Sequence, residues 1–238
     1  VIMAEAYWDL ESRLIDLGID ACYDKRLYDR LASGDVEGIR AHLQASPAYQ
    51  ARLVRFTENH DEPRATTAFG PTVARAAAIV IATVPGITLW HEGQAEGYRI
   101  RLPVLLGRRP PEATEDDLAT FHHRLWASAP TIRRGEWALA STSGWPDNDS
   151  HRRLLAWTWA DGDGLNSAVV VNYSGERATA RVHVLPSGGT FTDVLTGEQF
   201  ERDPAEIADQ GLFVELGPWT AHVLVAQRAR QAQMTSGT

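Results

Sequence analysis

Along the first hundred positions, short apolar runs alternate with segments whose apolar residues recur at three- and four-residue spacing. The first pattern reads as a buried strand and the second as an amphipathic helix. Val1 to Ala4 predicts a strand ending at Glu5, followed by a helical stripe of Leu10, Leu14 and Leu17. Gly18 to Tyr23 predicts a second strand ending near Asp24, and a longer helical region covers Leu27 to Leu43. Arg52 to Thr57 predicts a third strand that runs into Glu58-Asn59-His60-Asp61. The alanine-rich stretch from Thr72 to Thr83 predicts a helix stopped by Pro85-Gly86, and Ile87 to Trp90 a fourth strand ending at His91-Glu92-Gly93.

Alternating strands and helices imply right-handed βαβ units and a parallel sheet covered by helices. Polar residues cluster just after the strands, where barrel enzymes place their chemistry. Four such units are legible, whereas a closed barrel has eight strands and typically about 250 residues. The expected fold class is therefore α/β, a partial (β/α)8 barrel made of its last four units, and the isolated chain is expected to fold poorly because its outer strands have open edges. After a turn-rich connector at Arg108-Arg109-Pro110-Pro111, Asp116 to Trp126 predicts a helix with Leu118, Phe121 and Leu125 facing inward. From Leu154 onward the pattern is all-β. Leu155–Trp159, Ser167–Tyr173, Thr179–Leu185, Leu212–Leu216 and Ala221–Ala226 are strand candidates, separated by turns at 161–164 and 186–189. An antiparallel β-sandwich is the expected product. This places the barrel part at 1–140, the all-β part at 141–228 and a polar tail at 229–238.

Composition narrows the partners. A formal charge of -8 without a dense Lys/Arg run argues against a nucleic-acid ligand. The apolar stretch from Ala74 to Val84 is too short to span a bilayer, so no membrane partner is expected. The single cysteine, Cys22, reads as a buried thiol in a strand and favours a cytoplasmic setting over an oxidising one. The chain opens on Val1, directly in a strand-like run, which leads to the expectation that the natural protein begins further upstream. Oligomeric state is not legible.

Two carboxylates stand out. Glu5 lies in Ala4-Glu5-Ala6-Tyr7-Trp8, and Asp61 closes Phe56-Thr57-Glu58-Asn59-His60-Asp61. Retaining glycoside hydrolysis needs carboxyl groups facing each other across the scissile bond, one of them serving as proton donor. Tyr7 and Trp8 offer the apolar surroundings a general acid requires, and sugar rings stack on aromatics. Acidic residues at strand ends more often cap a helix or solvate a loop. Three polar groups of different hydrogen-bonding capacity directly after an apolar strand are a stronger signal.

Phe56-Thr57-Glu58-Asn59-His60-Asp61 resembles the F-x-x-N-H-D motif after the seventh strand of the α-amylase family, glycoside hydrolase family 13. Ala4-Glu5-Ala6-Tyr7-Trp8 is similar to that family's fifth-strand motif, and Pro85 to Gln94 to its eighth-strand segment. Order and spacing agree. The resemblance implies a retaining glycosidase of α-linked glucans or oligosaccharides, with Glu5 as general acid/base and Asp61 as transition-state stabiliser. His60, Tyr7, Trp8 and Asn59 would contact the carbohydrate substrate. The family's nucleophilic aspartate follows its fourth strand, and no such motif precedes Glu5. The chain alone is therefore expected to be inactive. An α-glucan transglycosylase on the same site and a catalytically silent sugar-binding remnant are the alternatives.

Other positions carry weaker signals. Asp24 reads as a helix-start carboxylate paired with Lys25 or Arg26 ahead of a substrate contact. His91 and Glu92 lie on the presumed active face and read equally as site residues or as loop stabilisers, and Arg64 as a solvated helix-start residue or a partner of Glu62 or Asp61. His122, His123, His183 and His222 read as structural or surface residues. No cofactor and no metal ligand set is expected, because the histidines lack paired ligand spacing. Some relatives bind structural calcium, mostly through parts of the fold outside this sequence.

Overall fold

The structure, a computed structural model, describes residues 1–103, 105, 108–162, 164–185 and 189–227. The tail expected at 229–238, and parts of the turns expected at 161–164 and 186–189, lie outside these residues.

The first part runs β1 (Met3–Ala4), α1 (Glu11–Asp16), β2 (Ala21–Tyr23), α2 (Lys25–Ser33), α3 (Val36–Leu43), α4 (Pro47–Gln50), β3 (Leu53–Arg55), α5 (Ala65–Ala68), α6 (Pro71–Thr83), β4 (Ile87–Thr88) and α7 (Asp116–Ile132). The four strands form one sheet in the order β1-β2-β3-β4, all parallel, with Met3 opposite Ala21, Cys22 opposite Leu53 and Val54 opposite Ile87. Parallel pairing puts every strand's C-terminal end on the same side, so the loops after the four strands converge. Cys22 is buried in β2.

Two helical expectations are corrected. The region from Leu27 to Leu43 is two helices, because Gly34 takes a left-handed conformation (φ 69°) that closes α2, and the Asp35 carboxylate then accepts from Gly38 N at 2.9 Å to cap α3. In α1 the buried residues are Glu11 and Ile15, while Leu10 and Leu17 flank the helix and are exposed. A six-residue helix is too short for the Leu10/Leu14/Leu17 stripe to lie on one face of it.

The second part runs β5 (Glu136–Leu139), β6 (Thr142–Ser143), β7 (Leu154–Asp161), β8 (Gly164–Asn172), β9 (Ala178–Val182), β10 (Thr190–Asp193), β11 (Gln199–Glu201), α8 (Pro204–Gln210), β12 (Leu212–Leu216) and β13 (Ala221–Ala226). Six strands form one sheet in the order β11-β10-β13-β8-β7-β5, and three form a second, β12-β9-β6. The near-continuous apolar runs of β7 and β8 follow from burial on both faces, since alternate residues of a strand point to opposite sides. Leu155, Trp157, Trp159, Val169 and Val171 pack with Leu27, Leu31, Leu43 and the α6 residues Ala76 to Ala82. Leu154, Ala156, Ala168 and Val170 pack against Ala180, Val182, Leu212 and Val214 of the smaller sheet.

Polar contacts reinforce this junction. Helix C-termini leave carbonyls without intrahelical partners. Tyr173 Oη donates to Leu31 O at 2.9 Å, Trp159 Nε1 to Thr83 O at 2.8 Å, and Ser167 Oγ to Ile132 O at 2.7 Å. The sandwich thus supplies donors to the ends of α2, α6 and α7. Across the sheet, Gly86 (φ 113°) sits where an added Cβ would lie 2.4 Å from Leu53 O, so the turn into β4 needs a glycine.

Between the parallel sheet and its helices lies a buried charged cluster. Asp24 caps α2 by accepting from Leu27 N at 3.1 Å, as a helix-start carboxylate should, but its ionic partners are Arg55 and His42 rather than Lys25 or Arg26. Lys25 instead pairs with Asp29 and Glu62, and Arg26 with Asp9. His42 Nε2 lies 2.9 Å from Asp24 and 3.3 Å from Arg55 Nη1. Burial, then the nearby Arg30 and Arg26, pull the imidazole down to about 4. The adjacent carboxylate does not reverse this, because its charge is already committed to Arg55. A histidine whose folded value lies below its unfolded one binds fewer protons when folded. Its contribution is therefore present above about pH 6.5 and lost as pH falls toward about 4, a change on the order of 3 kcal/mol. Denaturant unfolding at a series of pH values should show this acid limb, and His42→Gln should flatten it; an unchanged slope would rule out His42 as its source.

Candidate active site

The loop after β1 carries Glu5, Tyr7 and Trp8, and the loop after β3 carries Glu58 through Asp61. Although about fifty-five residues separate them in sequence, the side chains of Glu5, His60 and Asp61 meet, with their oxygen and nitrogen atoms within 4.8 Å of one another. His60 Nε2 lies 3.7 Å from Glu5 Oε2 and 3.4 Å from Asp61 Oδ2. These side chains are 34%, 44% and 51% exposed for Glu5, His60 and Asp61, so a ligand can reach all three.

Tyr7 is fixed by Glu5. Its hydroxyl donates to Glu5 Oε1 at 2.8 Å, and burial, that hydrogen bond and the carboxylate's charge push its pKa far above the ordinary tyrosine value. It stays a donor at any working pH. Trp8 stands edge-on to Tyr7, 6.0 Å between ring centroids, and is 83% exposed at the rim. Trp8 and Asp9 both have positive φ (65° and 64°), a conformation that costs roughly 1–3 kcal/mol at a non-glycine residue. The Asp9–Arg26 ion pair ties this strained turn to α2.

Asn59 is buried and shapes the loop. Its Oδ1 accepts from Asp61 N at 2.9 Å and Glu62 N at 2.8 Å, an Asx turn that lifts Asp61 toward the surface. Its Nδ2 is buried without a hydrogen-bond partner.

Beneath the exposed trio lies a second layer. Glu58 is 1% exposed, accepts from Ala65 N at 2.6 Å, and lies 3.2 Å from both Arg64 Nη1 and His91 Nδ1. Arg64 is buried, not solvated, and its partners are Glu58, His91 and the carbonyls of Glu92 and Tyr98 rather than Glu62 or Asp61. His91 and Glu92 do act as loop ties, His91 to Glu58 and Glu92 to Arg109. Gly93 (φ 80°) allows this crowding, since an added Cβ would meet the Tyr98 ring at 2.0 Å. Gln94 closes the layer by donating to Thr57 Oγ1 at 2.9 Å. Elsewhere, His122 is buried among Trp90, Phe121 and Trp126, His123 lies against Trp126, and His183 and His222 bond to Ser143 and Asp193.

Sequence reading missed Glu58 and Arg55 as individual residues. The available signal was a charge inside or directly after an apolar strand, which is costly unless paired.

No protein-family model matches the chain. In sequence it is 28% identical over 200 residues to the α-amylase MalA of Haloarcula japonica, an alignment covering 80% of this chain and 28% of that protein. In structure it superposes on the maltogenic α-amylase AmyB of Thermotoga neapolitana with a TM-score of 0.72 at 17% identity, covering 95% of this chain and 55% of that one. The chain resembles the α-amylase family. A third match is the α-amylase of Geobacillus thermoleovorans, solved with acarbose, with a TM-score of 0.71 at 16% identity over 95% of this chain and 53% of that one. The α-amylase-like chain thus spans about half the length of these solved structures and 28% of the curated relative. Among the described residues, no helix is long and apolar enough to cross a membrane.

Proposed function

We propose that this chain carries the later half of the catalytic barrel, and the all-β domain, of an α-amylase-like retaining glycosidase acting on α-linked glucans. The observation that carries the reading is the meeting of Glu5, His60 and Asp61 from the loops after β1 and β3, the two strands that flank β2 in the parallel sheet, in the motif order of that family. In this mechanism Glu5 delivers its proton to the glycosidic oxygen as the bond to the anomeric carbon breaks. It then takes a proton from the water that attacks the covalent glycosyl intermediate. Asp61 and His60 hold hydroxyls of the distorted sugar, Tyr7 orients Glu5, and Trp8 offers a stacking face at the rim. Among the described residues β1 pairs only with β2, and Ile2 and Met3 beside its other edge are exposed, so that edge can take the nucleophile-bearing strand that the family resemblance implies.

Release of reducing sugar from a soluble α-glucan tests this, using the 238-residue chain beside a form extended upstream by βα units that carry the family's nucleophile motif. Turnover is expected in the extended form only. A folded extended form without turnover would overturn the reading in favour of a silent sugar-binding protein.

A further inference from the structure

His60 and Asp61 are about half exposed, so their placement comes from the backbone beneath them. That backbone is a loop whose two ends meet on one carboxylate. Glu58 stands at its start, and Ala65, whose amide donates to Glu58 Oε2 at 2.6 Å, opens α5 at its end. The other oxygen, Oε1, lies 3.2 Å from Arg64 Nη1 and 3.2 Å from His91 Nδ1. Arg64 continues the tie, its Nη1 2.7 Å from His91 Nδ1 and its Nη2 donating to Glu92 O at 2.7 Å. One buried group thus closes the loop after β3 and fastens it to the loop after β4.

We infer that Glu58 is a positioning residue whose carboxylate holds the loop bearing His60 and Asp61 against the loop after β4, and so sets where those side chains meet Glu5. The inference rests on the proposed role of His60 and Asp61 as sugar-holding groups. Glu58 touches no substrate position itself, being 1% exposed. The charged and titratable groups around it are Arg64 on its own loop, His91 and Glu92 from the loop after β4, and Tyr28 from α2.

Burial, opposed by the Ala65 amide and Arg64 and reinforced by Glu92, pushes the Glu58 carboxyl up to about 7. The folded value lies above the ordinary one, so the folded chain keeps a proton that the unfolded chain has released. Stability from this group is therefore greatest in acid and is lost as pH rises through about 7. The bonds from the Ala65 amide and Arg64 become charge-assisted on ionisation and offset part of that loss without reversing it.

Proton–nitrogen NMR spectra of the full chain across about pH 5 to 9 read this directly. The backbone amides of His60, Asp61 and Ala65 are expected to titrate together with a midpoint near 7. Glu58→Gln should abolish that titration and speed exchange of the Ala65 amide roughly tenfold, with β2 and β3 amides unchanged. Glu58→Asp, which keeps the charge, should retain it, and decides the matter if the Gln variant does not fold. Absence of the wild-type titration, its persistence in Glu58→Gln, or faster exchange spread over the whole chain would each overturn the assignment, the last by showing a merely structural role. If the spectra behave as expected but the extended enzyme neither hydrolyses glucan nor binds maltotriose, the functional reading and with it the positioning of sugar-holding groups fail, and only the closure of the loop by Glu58 stands.

Discussion

Glu5→Gln in the upstream-extended enzyme is expected to lower kcat for a soluble α-glucan by roughly 10²–10⁴-fold, the usual contribution of a general acid/base. KM should change little, because the amide keeps the size of the carboxyl and can still accept from Tyr7, which bonds Glu5 at 2.8 Å. The loss in kcat/KM, which reports formation of the glycosyl intermediate, should shrink for a nitrophenyl glycoside, whose leaving group departs without a proton, whereas kcat stays low because hydrolysis of the intermediate still needs the base. An equal loss of kcat/KM on both substrates would place Glu5 elsewhere in the mechanism. Asp61→Asn should behave differently, weakening turnover of both substrates alike, since stabilising the distorted sugar is needed whichever group leaves.

The largest effect on stability is expected from Arg55. Its side chain is fully buried and serves Asp24, Gln50, His42 and the Pro85 carbonyl at once. Burial, then the charge of Arg133, holds the guanidinium down to about 9, so it remains charged at neutral pH. Arg55→Met keeps the bulk but strands the Asp24 carboxylate in a dry site, a loss of about 3–5 kcal/mol by the behaviour of broken buried ion pairs. For a chain of this size that corresponds to a fall in Tm on the order of 10 °C. Thermal denaturation followed by circular dichroism measures it. The double variant Asp24→Asn/Arg55→Met should recover part of the loss, because the stranded charge is then gone. A single variant that melts with the parent protein would mean that water or a rearranged neighbour already satisfies Asp24.

How much of this was legible beforehand varies with the physics behind each element. Leu212–Leu216 and Ala221–Ala226 were read with correct bounds, since strand periodicity and flanking turn residues both mark them. Thr142–Ser143, Thr190–Asp193 and Gln199–Glu201 escaped, being two to four residues long; the first two are held by pairing with β9 and β13, distant in sequence, and Gln199–Glu201 by a short hairpin with β10. The site shows the same division. Glu5 and Asp61 stand out as candidates from the residues around them, whereas the local pattern at Arg64 points to a solvated helix start or to a partner of Glu62 or Asp61. Its burial comes from the loop after β4 folding over it, some thirty residues further along.

By itself, then, the sequence determined the alternation of strands and helices, the switch to an all-β pattern, and the acid-bearing motifs after the first and third strands. These are properties of local periodicity and of short motifs, written within a few residues of each other. Only the tertiary structure decided that Glu5, His60 and Asp61 meet within 4.8 Å, that Asp24 answers to Arg55, and that Glu58 lies sealed beneath the loop it closes. The reason is physical. Charge pairing and burial depend on which distant segments the parallel sheet brings side by side, and no local pattern encodes that distance.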